Sequence, residues 1–419
     1  MTVHYLLDFK EKQRERAYRD FPTFTTPIAI DSIEFQQLLT KIAEDAERRR
    51  KADTEEHPYY GVELIRQAKL GALRLPVELG GSGVSIRDIF QVVIRLAEAD
   101  PDVAHILRYH YYQVELFLLN PHTEQNKQYL KKVAAGELIG NAFTEISKKD
   151  VGTLTFETTI TPDGDGYRLN GTKYFSTGTL YADWVAVMAT SPEGQTISAI
   201  IPTDREGLIL EDDWDGIGQR LTGSGTTRLN HVYVQKDEVT VVHVDDTPFN
   251  SHLQLYLQAV ITGIVHNIVA DAKALVLGRA RSFTFAAANT PSADPQLLQI
   301  IGQLSSSAFA AETIVLEAAS AQDKAVRLAV NGVIDFSLSH KASLRAAQAK
   351  VIVDELALKA ASLLFDVGGA SATRKSAYLD RHWRNIRTIA SHNPDVYKSR
   401  AIGDYIVNGN ELPIKSVYF

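Results

Sequence analysis

The sequence predicts a mainly α-helical protein with a β domain in the middle of the chain. Three observations carry this expectation. Apolar residues recur at helical spacing up to about residue 136, with a period of two from about 140 to 245, and at helical spacing again from about 251. We read three units from them: an N-terminal α-helical domain over 1–138, a middle β domain over 139–247 and a C-terminal α-helical bundle over 248–419. At 419 residues, 45% hydrophobic and 23% charged, the chain is long enough for two or three packed units and lacks the bias of disordered or fibrous sequences.

The first unit shows its helices in Phe35, Leu38, Leu39 and Ile42, and again in Ile86, Ile89, Phe90, Val93, Ile94 and Ala97. Its one conspicuous break is LPVELGGSGVS at 75–85, where Pro76 with Gly80, Gly81 and Gly83 suits a loop of unusual backbone angles or a plain interhelical linker. In the second unit Phe156, Thr158 and Ile160, then Ile197, Ala199 and Ile201, alternate as strands do, with PDGDG and SPEGQ as turns. The third unit resumes with Leu253, Tyr256, Leu257, Val260 and Ile264 on one stripe, and Leu344, Ala347, Val351 and Ile352 on part of another. The apolar run 253–277 carries His266, Asn267, Asp271 and Lys273, groups expensive inside a bilayer, so we expect a buried helix and no membrane span.

Composition also excludes chemistry. The chain has no cysteine, which removes disulfides, thiolate metal sites and a thiol nucleophile. A net charge of -7 offers no basic surface for nucleic acid. The first thirty residues are charged throughout, unlike a secretory signal, and a cytoplasmic location is expected. The short motifs of nucleotide-binding loops, zinc proteases and serine hydrolases are missing. Neither His105 with His110 nor His382 with His392 has the i, i+4 spacing that puts two rings on one helical face, and we assign no metal site.

The order helical lobe, β domain, helical bundle resembles the acyl-CoA dehydrogenase superfamily over nearly the whole chain, with a barrel-like middle domain. LRLPVELGGSGVS (73–85), GNAFTE (140–145), LNGTKYFSTG (169–178), GRARSF (278–283) and FDVGGAS (365–371) carry the likeness in order. HILRYHYY (105–112), DDWDGIGQRLTGSGTT (212–227) and DRHWRNIRTIASHNP (380–394) resemble the flavin-dependent monooxygenase branch typified by dibenzothiophene monooxygenase. Dehydrogenases of the common type place a catalytic glutamate just after the region matching RHWRNIRT. Here the stretch reads IASHNP, with no carboxylate before Asp395, so a positioned base for a carbon-bound proton is missing. His392 stands in that neighbourhood, with an intrinsic pKa near neutrality that suits holding or relaying a proton.

The resemblance implies FMN in its reduced form, with FAD as the alternative cofactor. A separate NAD(P)H-dependent flavin reductase would supply it, and reaction with O2 at C4a would give a hydroperoxide that oxygenates a small molecule, first of all at sulfur. As catalytic residues it implies His392, His105 and the pair Ser176 and Thr177, which sequence does not rank. His105 and Tyr109, four apart, are expected on one helical face. For the flavin it implies Tyr109, Asn141, Thr144, Ser176, Thr177, Trp214 and Ser224. Arg281, with Arg279 as competitor, and Gly368, Gly369 and Ala370 would meet it across a subunit boundary in a homotetramer. Ser371 and Ile389 depart from that enzyme's arginine and histidine, which leaves substrate and phosphate contacts open. Two other readings stand beside this one: an FAD-dependent acyl-CoA dehydrogenase with its carboxylate on another helix, and a non-catalytic helical scaffold.

Overall fold

A computed structural model describes residues 3–52, 56–146, 152, 154–242 and 249–419, with side chains from Phe9 onward. The boundary expected at 247 lies outside these residues. Seven helices come first: α1 (Val3–Asp20), α2 (Ile33–Lys51), α3 (Tyr59–Gln67), α4 (Ile86–Ala99), α5 (Pro101–Ile106), α6 (Arg108–Leu119) and α7 (Glu124–Ala135). Local chemistry sets several of their starts. Ser85 and Asp88 form a reciprocal capping box on α4, and Asp100, followed by Pro101, accepts from Asp102 N and Val103 N at the start of α5. Gly136, at φ +96°, stops α7 in the left-handed region. The helix α1 precedes the region whose spacing we read, and Ala17 and Phe21 bring its end into the core.

Eight strands follow: β1 (Ile139–Ala142), β2 (Thr159–Asp163), β3 (Gly166–Lys173), β4 (Trp184–Thr190), β5 (Thr196–Pro202), β6 (Leu208–Leu210), β7 (Thr227–Val234) and β8 (Val239–Val241). They form one sheet in the order β6-β7-β3-β2-β4-β5-β8, with β1 added in parallel beside β4. Ile197, Ala199 and Ile201 are all buried, so the alternation read there is the core face of β5. Phe156 and Thr158 are also buried but precede β2. Glu145 accepts from Thr158 N there at 2.9 Å, so a carboxylate takes the place of a strand partner.

The last unit is built on α8 (Ser251–Gly278), α9 (Pro295–Arg327) and α10 (Phe336–Gly368), followed by α11 (Asp380–Ala390) and α12 (Asp395–Asn408). By length and composition α8 could cross a bilayer, yet it packs against α4, α9 and α10, and its Asp271 binds Arg381 and His382. Close packing is allowed by small residues: a Cβ on Gly263 of α8 would fall 2.3 Å from Ile94 O of α4. The helix α10 is buried on two sides. Ala346, Ala349, Val353 and Ala357 enter the main core, whereas Ala347, in the stripe we expected, packs with Leu412, Ile414 and Phe419, and Ile352 is exposed.

One buried pair yields a pH prediction. Glu115 of α6 is 2% exposed, with one oxygen 2.7 Å from Arg74 Nε and the other unpartnered. Burial outweighs the guanidinium and pushes the carboxyl up to about 7 from 4.5. The folded state therefore holds a proton that the unfolded state has released between about pH 4.5 and 7, so this group's contribution falls as pH rises through that window. Urea unfolding of wild type and Glu115→Gln should diverge in pH slope there, by up to about 3 kcal/mol in all. Parallel curves would show that the buried carboxyl titrates as in the unfolded chain.

Candidate active site

The helix α11 ends at Ala390, and Pro394 ensures that the chain turns before α12 begins. That turn carries His392 and Asn393. Lys350, buried on α10, clamps it from below: its Nζ donates to Asp354 Oδ2 at 2.6 Å and to Ala390 O at 3.0 Å, and lies 3.2 Å from Asp395 Oδ1. Asn393 Nδ2 donates to Gln254 Oε1 of α8 at 2.6 Å, and Gln254 Nε2 donates to Val417 O at 3.0 Å. From the other side Arg108, first residue of α6, donates through Nη1 to His392 Nε2 at 3.2 Å and through Nε to Leu253 O at 3.0 Å. The Tyr418 ring lies 5.5 Å from the His392 ring, and its hydroxyl is 3.2 Å from Thr144 Oγ1 beyond the end of β1.

This geometry corrects the role expected from the intrinsic pKa of His392. Surrounding protein, then the Arg108 cation, hold its pKa well below the ordinary histidine value, so the ring is neutral at physiological pH. Because a guanidinium only donates, Nε2 is the acceptor and the proton of the neutral ring sits on Nδ1, 3.4 Å from Asn393 Nδ2. His392 is thus a fixed hydrogen-bonding group and not a titrating relay. Its side chain is exposed on the turn, which leaves it accessible to a ligand.

His105 and Tyr109 do not share a helix. The α-helix is interrupted at Leu107, so His105 ends α5 while Tyr109 lies on α6, and the expected i, i+4 alignment is replaced by two separate contacts. Tyr109 Oη donates to Gln113 Oε1 at 3.1 Å. His105 Nδ1 donates to Gln219 Oε1 at 2.8 Å, and burial draws its pKa down to about 3, so it too is neutral. Gln219 has φ +51°, a left-handed conformation unusual for its residue type, and its N–H donates to Asn385 Oδ1 of α11 at 2.8 Å. The loop after β6 is thereby tied to both helical units.

The loop after β3 carries a further group of the expected residues. Phe175 has φ +57°, a costly conformation for a bulky residue, and is 48% exposed with its ring edge-on to Trp214 at 5.8 Å. Trp214 Nε1 donates to Gln219 O at 3.0 Å. The pair that sequence left unranked is separated by burial. Ser176 is 2% exposed and accepts from Thr227 Oγ1 at 2.8 Å, whereas Thr177 is only half-buried, its Oγ1 2.8 Å from Ser224 Oγ. Ser224 Oγ lies 2.7 Å from Thr222 Oγ1, which makes a row of three hydroxyls. Asn141, on β1, accepts from Thr179 Oγ1 through its backbone carbonyl at 2.8 Å.

These residues fit a flavin. An exposed Phe175 against a half-buried Trp214, together with the hydroxyl row, suits a planar ring with polar edges and a phosphate tail. Two buried atoms also lack partners here, His105 Nε2 and Gln219 Nε2, as expected where a ligand completes the hydrogen bonding. Arg281 and Gly368, Gly369 and Ala370 form a second group. Arg279 Nη1 donates to Val367 O at 2.8 Å, which binds the loop after α8 to the end of α10, and Arg281 points out exposed. A pocket of about 200 Å³ lined by Arg50, Asp102 and Arg381 lies behind the Gln219 loop and contains none of the expected site residues.

Three participants escaped the sequence reading. Arg108 stood in plain view inside HILRYHYY, between two residues that were singled out, but its spacing to His392 is 284 residues. Tyr418 carries no motif at all. Gln219 was part of a quoted segment, and only its backbone angle and partner single it out.

Residues 31–137, 141–232 and 255–394 match the family descriptions acyl-CoA dehydrogenase N-terminal, middle and C-terminal domain. The chain is 31% identical over 369 residues to a dibenzothiophene monooxygenase of Mycolicibacterium goodii, over 83% of this chain and 86% of that protein. Among solved structures, TdsC of Paenibacillus sp. A11-2 with FMN and indole matches with a TM-score of 0.84 at 27% identity, over 91% of this chain and 98% of that one. The methanesulfinate monooxygenase MsuC of Pseudomonas fluorescens matches with a TM-score of 0.82 at 27% identity, again over 91% and 98%. With all three domains matched in order and close similarity along most of its length, this chain belongs to the acyl-CoA dehydrogenase superfamily, in its flavin-dependent monooxygenase branch.

Proposed function

We propose that the protein is an FMNH2-dependent monooxygenase that inserts one oxygen atom of O2 into a small organosulfur compound. The observation that carries this reading is the turn after α11. Between Ala390 and Asp395 there is no carboxylate, and Asp395 itself faces Lys350 at 3.2 Å, so a base for abstracting a carbon-bound proton is missing where a dehydrogenase needs one. A neutral His392 backed by Arg108 stands there instead. The named activities of the dibenzothiophene and methanesulfinate enzymes support the same chemistry.

Reduced FMN supplies the activation of dioxygen when bound. The chain's own residues do the rest. Thr177 and Ser224, with Asn141, Thr144 and Trp214 around them, orient the ring, and Ser176 stiffens the loop from inside through Thr227. Neutral His392 and His105 offer hydrogen bonds without charge, and Tyr109 and Tyr418 restrict water. Arg281 and Gly368–Ala370 serve the phosphate of a neighbouring subunit in a homotetramer. The exposed Phe283 and Phe285, 62% and 85% accessible and beside Arg281, support burial of that loop on assembly. A cytoplasmic NAD(P)H-dependent flavin reductase is the partner that this chemistry requires.

The test mixes the protein with anaerobically reduced FMN, then O2 and sulfur substrates, and compares oxygenated product with hydrogen peroxide. Product formed only with the protein is expected. Reoxidation at the rate of free flavin without product, together with bleaching of bound FAD by acyl-CoA thioesters, would instead make it a dehydrogenase.

A further inference from the structure

Arg108 is a cation without a counter-ion. Its Nε and Nη1 bind a carbonyl and an imidazole, and among the described residues no carboxylate pairs with it. The carboxylates of the segments that carry Thr144 and His392 are engaged elsewhere: Glu145 accepts from Lys173 at 2.7 Å, and Asp395 and Asp354 face Lys350. Burial draws the Arg108 pKa down to about 10, which leaves it cationic at neutral pH. Arg108 is half-buried, so protein has partly desolvated a guanidinium that a ligand can still reach and an anion would complete.

The groups around it share one character. Arg108 and the hydroxyls of Tyr418 and Thr144 are able to donate and lie beside the His392 turn: Arg108 bonds His392 Nε2, the Tyr418 ring packs near the His392 ring, and Tyr418 Oη lies 3.2 Å from Thr144 Oγ1. A donor-rich, cationic wall suits a compact group with two acceptor oxygens, which a guanidinium fork binds in its own plane. A neutral aromatic sulfide would instead leave the charge buried and uncompensated.

We propose that Arg108 recognises the anionic head of the substrate, and that the substrate is an organic sulfinate, R–SO2⁻. This rests on the monooxygenase reading and narrows it. The balanced reaction is R–SO2⁻ + FMNH2 + O2 → R–SO3⁻ + FMN + H2O: sulfur gains one oxygen and is oxidised, the other oxygen leaves as water with the two hydrogens of the reduced flavin. Arg108 then has to release a sulfonate of unchanged charge, so recognition does not hinge on a protonation change.

The experiment compares ethanesulfinate with the neutral ethyl methyl sulfide under FMNH2 and O2, in wild type, Arg108→Gln and Arg108→Lys, with FMNH2 affinity measured separately. In wild type kcat/KM should favour the sulfinate by at least about 100-fold. Arg108→Gln should erase that preference, chiefly through KM for sulfinate, and Arg108→Lys should restore part of it. Equal or better use of the sulfide by wild type overturns the sulfinate proposal while the monooxygenase reading stands, and needs no variant that folds. Loss of FMNH2 affinity in Arg108→Gln by the same factor also overturns it, because the cation then serves the cofactor. Oxidation of neither substrate, with all O2 recovered as hydrogen peroxide, defeats the underlying monooxygenase reading.

Discussion

His392→Ala is expected to lower coupled product formation by about 100-fold while the protein still binds FMN, with the missing oxygen recovered as hydrogen peroxide. His392 is held by Arg108 at 3.2 Å and sits on a turn that Lys350 and Gln254 both anchor, so its ring is preorganised as a neutral hydrogen-bonding group. Loss of one preorganised donor at a reacting oxygen costs about 10²–10³ in rate. FMN affinity should change little, because the hydroxyl row of Thr177, Ser224 and Thr222 belongs to loops of the β domain and His392 to the turn after α11. Oxygen uptake, product and peroxide are measured together. Since the folded pKa of His392 lies well below neutrality, the ring gains no proton between pH 6 and 8, and coupling in wild type should show no inflection from it in that range. Unchanged coupling in the variant would remove His392 from the chemistry.

Lys350→Ala should be the most destabilising single change in the helical bundle, by about 3–5 kcal/mol. Lys350 and Asp354 are 2% and 1% exposed, and the carboxylate already has one oxygen without a partner. Removing the ammonium leaves the buried Asp354 carboxyl without its partner and frees the carbonyl of Ala390 at the end of α11. Urea unfolding at pH 7 should show a lower midpoint with an unchanged slope. The double change Lys350→Met with Asp354→Leu should recover most of the loss, because burying the pair costs desolvation that apolar side chains avoid. If the single variant is as stable as wild type, the clamp contributes nothing and the His392 turn is held by Asn393 alone.

What the sequence by itself determined is everything that depends on near neighbours along the chain. The spacing of Phe35, Leu38 and Ile42 marks α2, and the alternation of Ile197, Ala199 and Ile201 marks β5. Ser85 with Asp88 sets the start of α4, because helical and extended backbones impose their periods and caps within a few residues. The missing carboxylate in IASHNP was equally legible, since it is a matter of residue identity. Tertiary structure alone decided which polar groups meet. It broke the helix at Leu107, which separated His105 from Tyr109 and left Arg108 against His392; it sent Ser176 inward and left Thr177 beside Ser224; and it brought Tyr418 to Thr144 across 274 residues. It also reversed the expected protonation of His392. A pKa is set by the surrounding dielectric and by charges within a few ångströms, and those come from segments far apart in sequence that only the packed backbone places together.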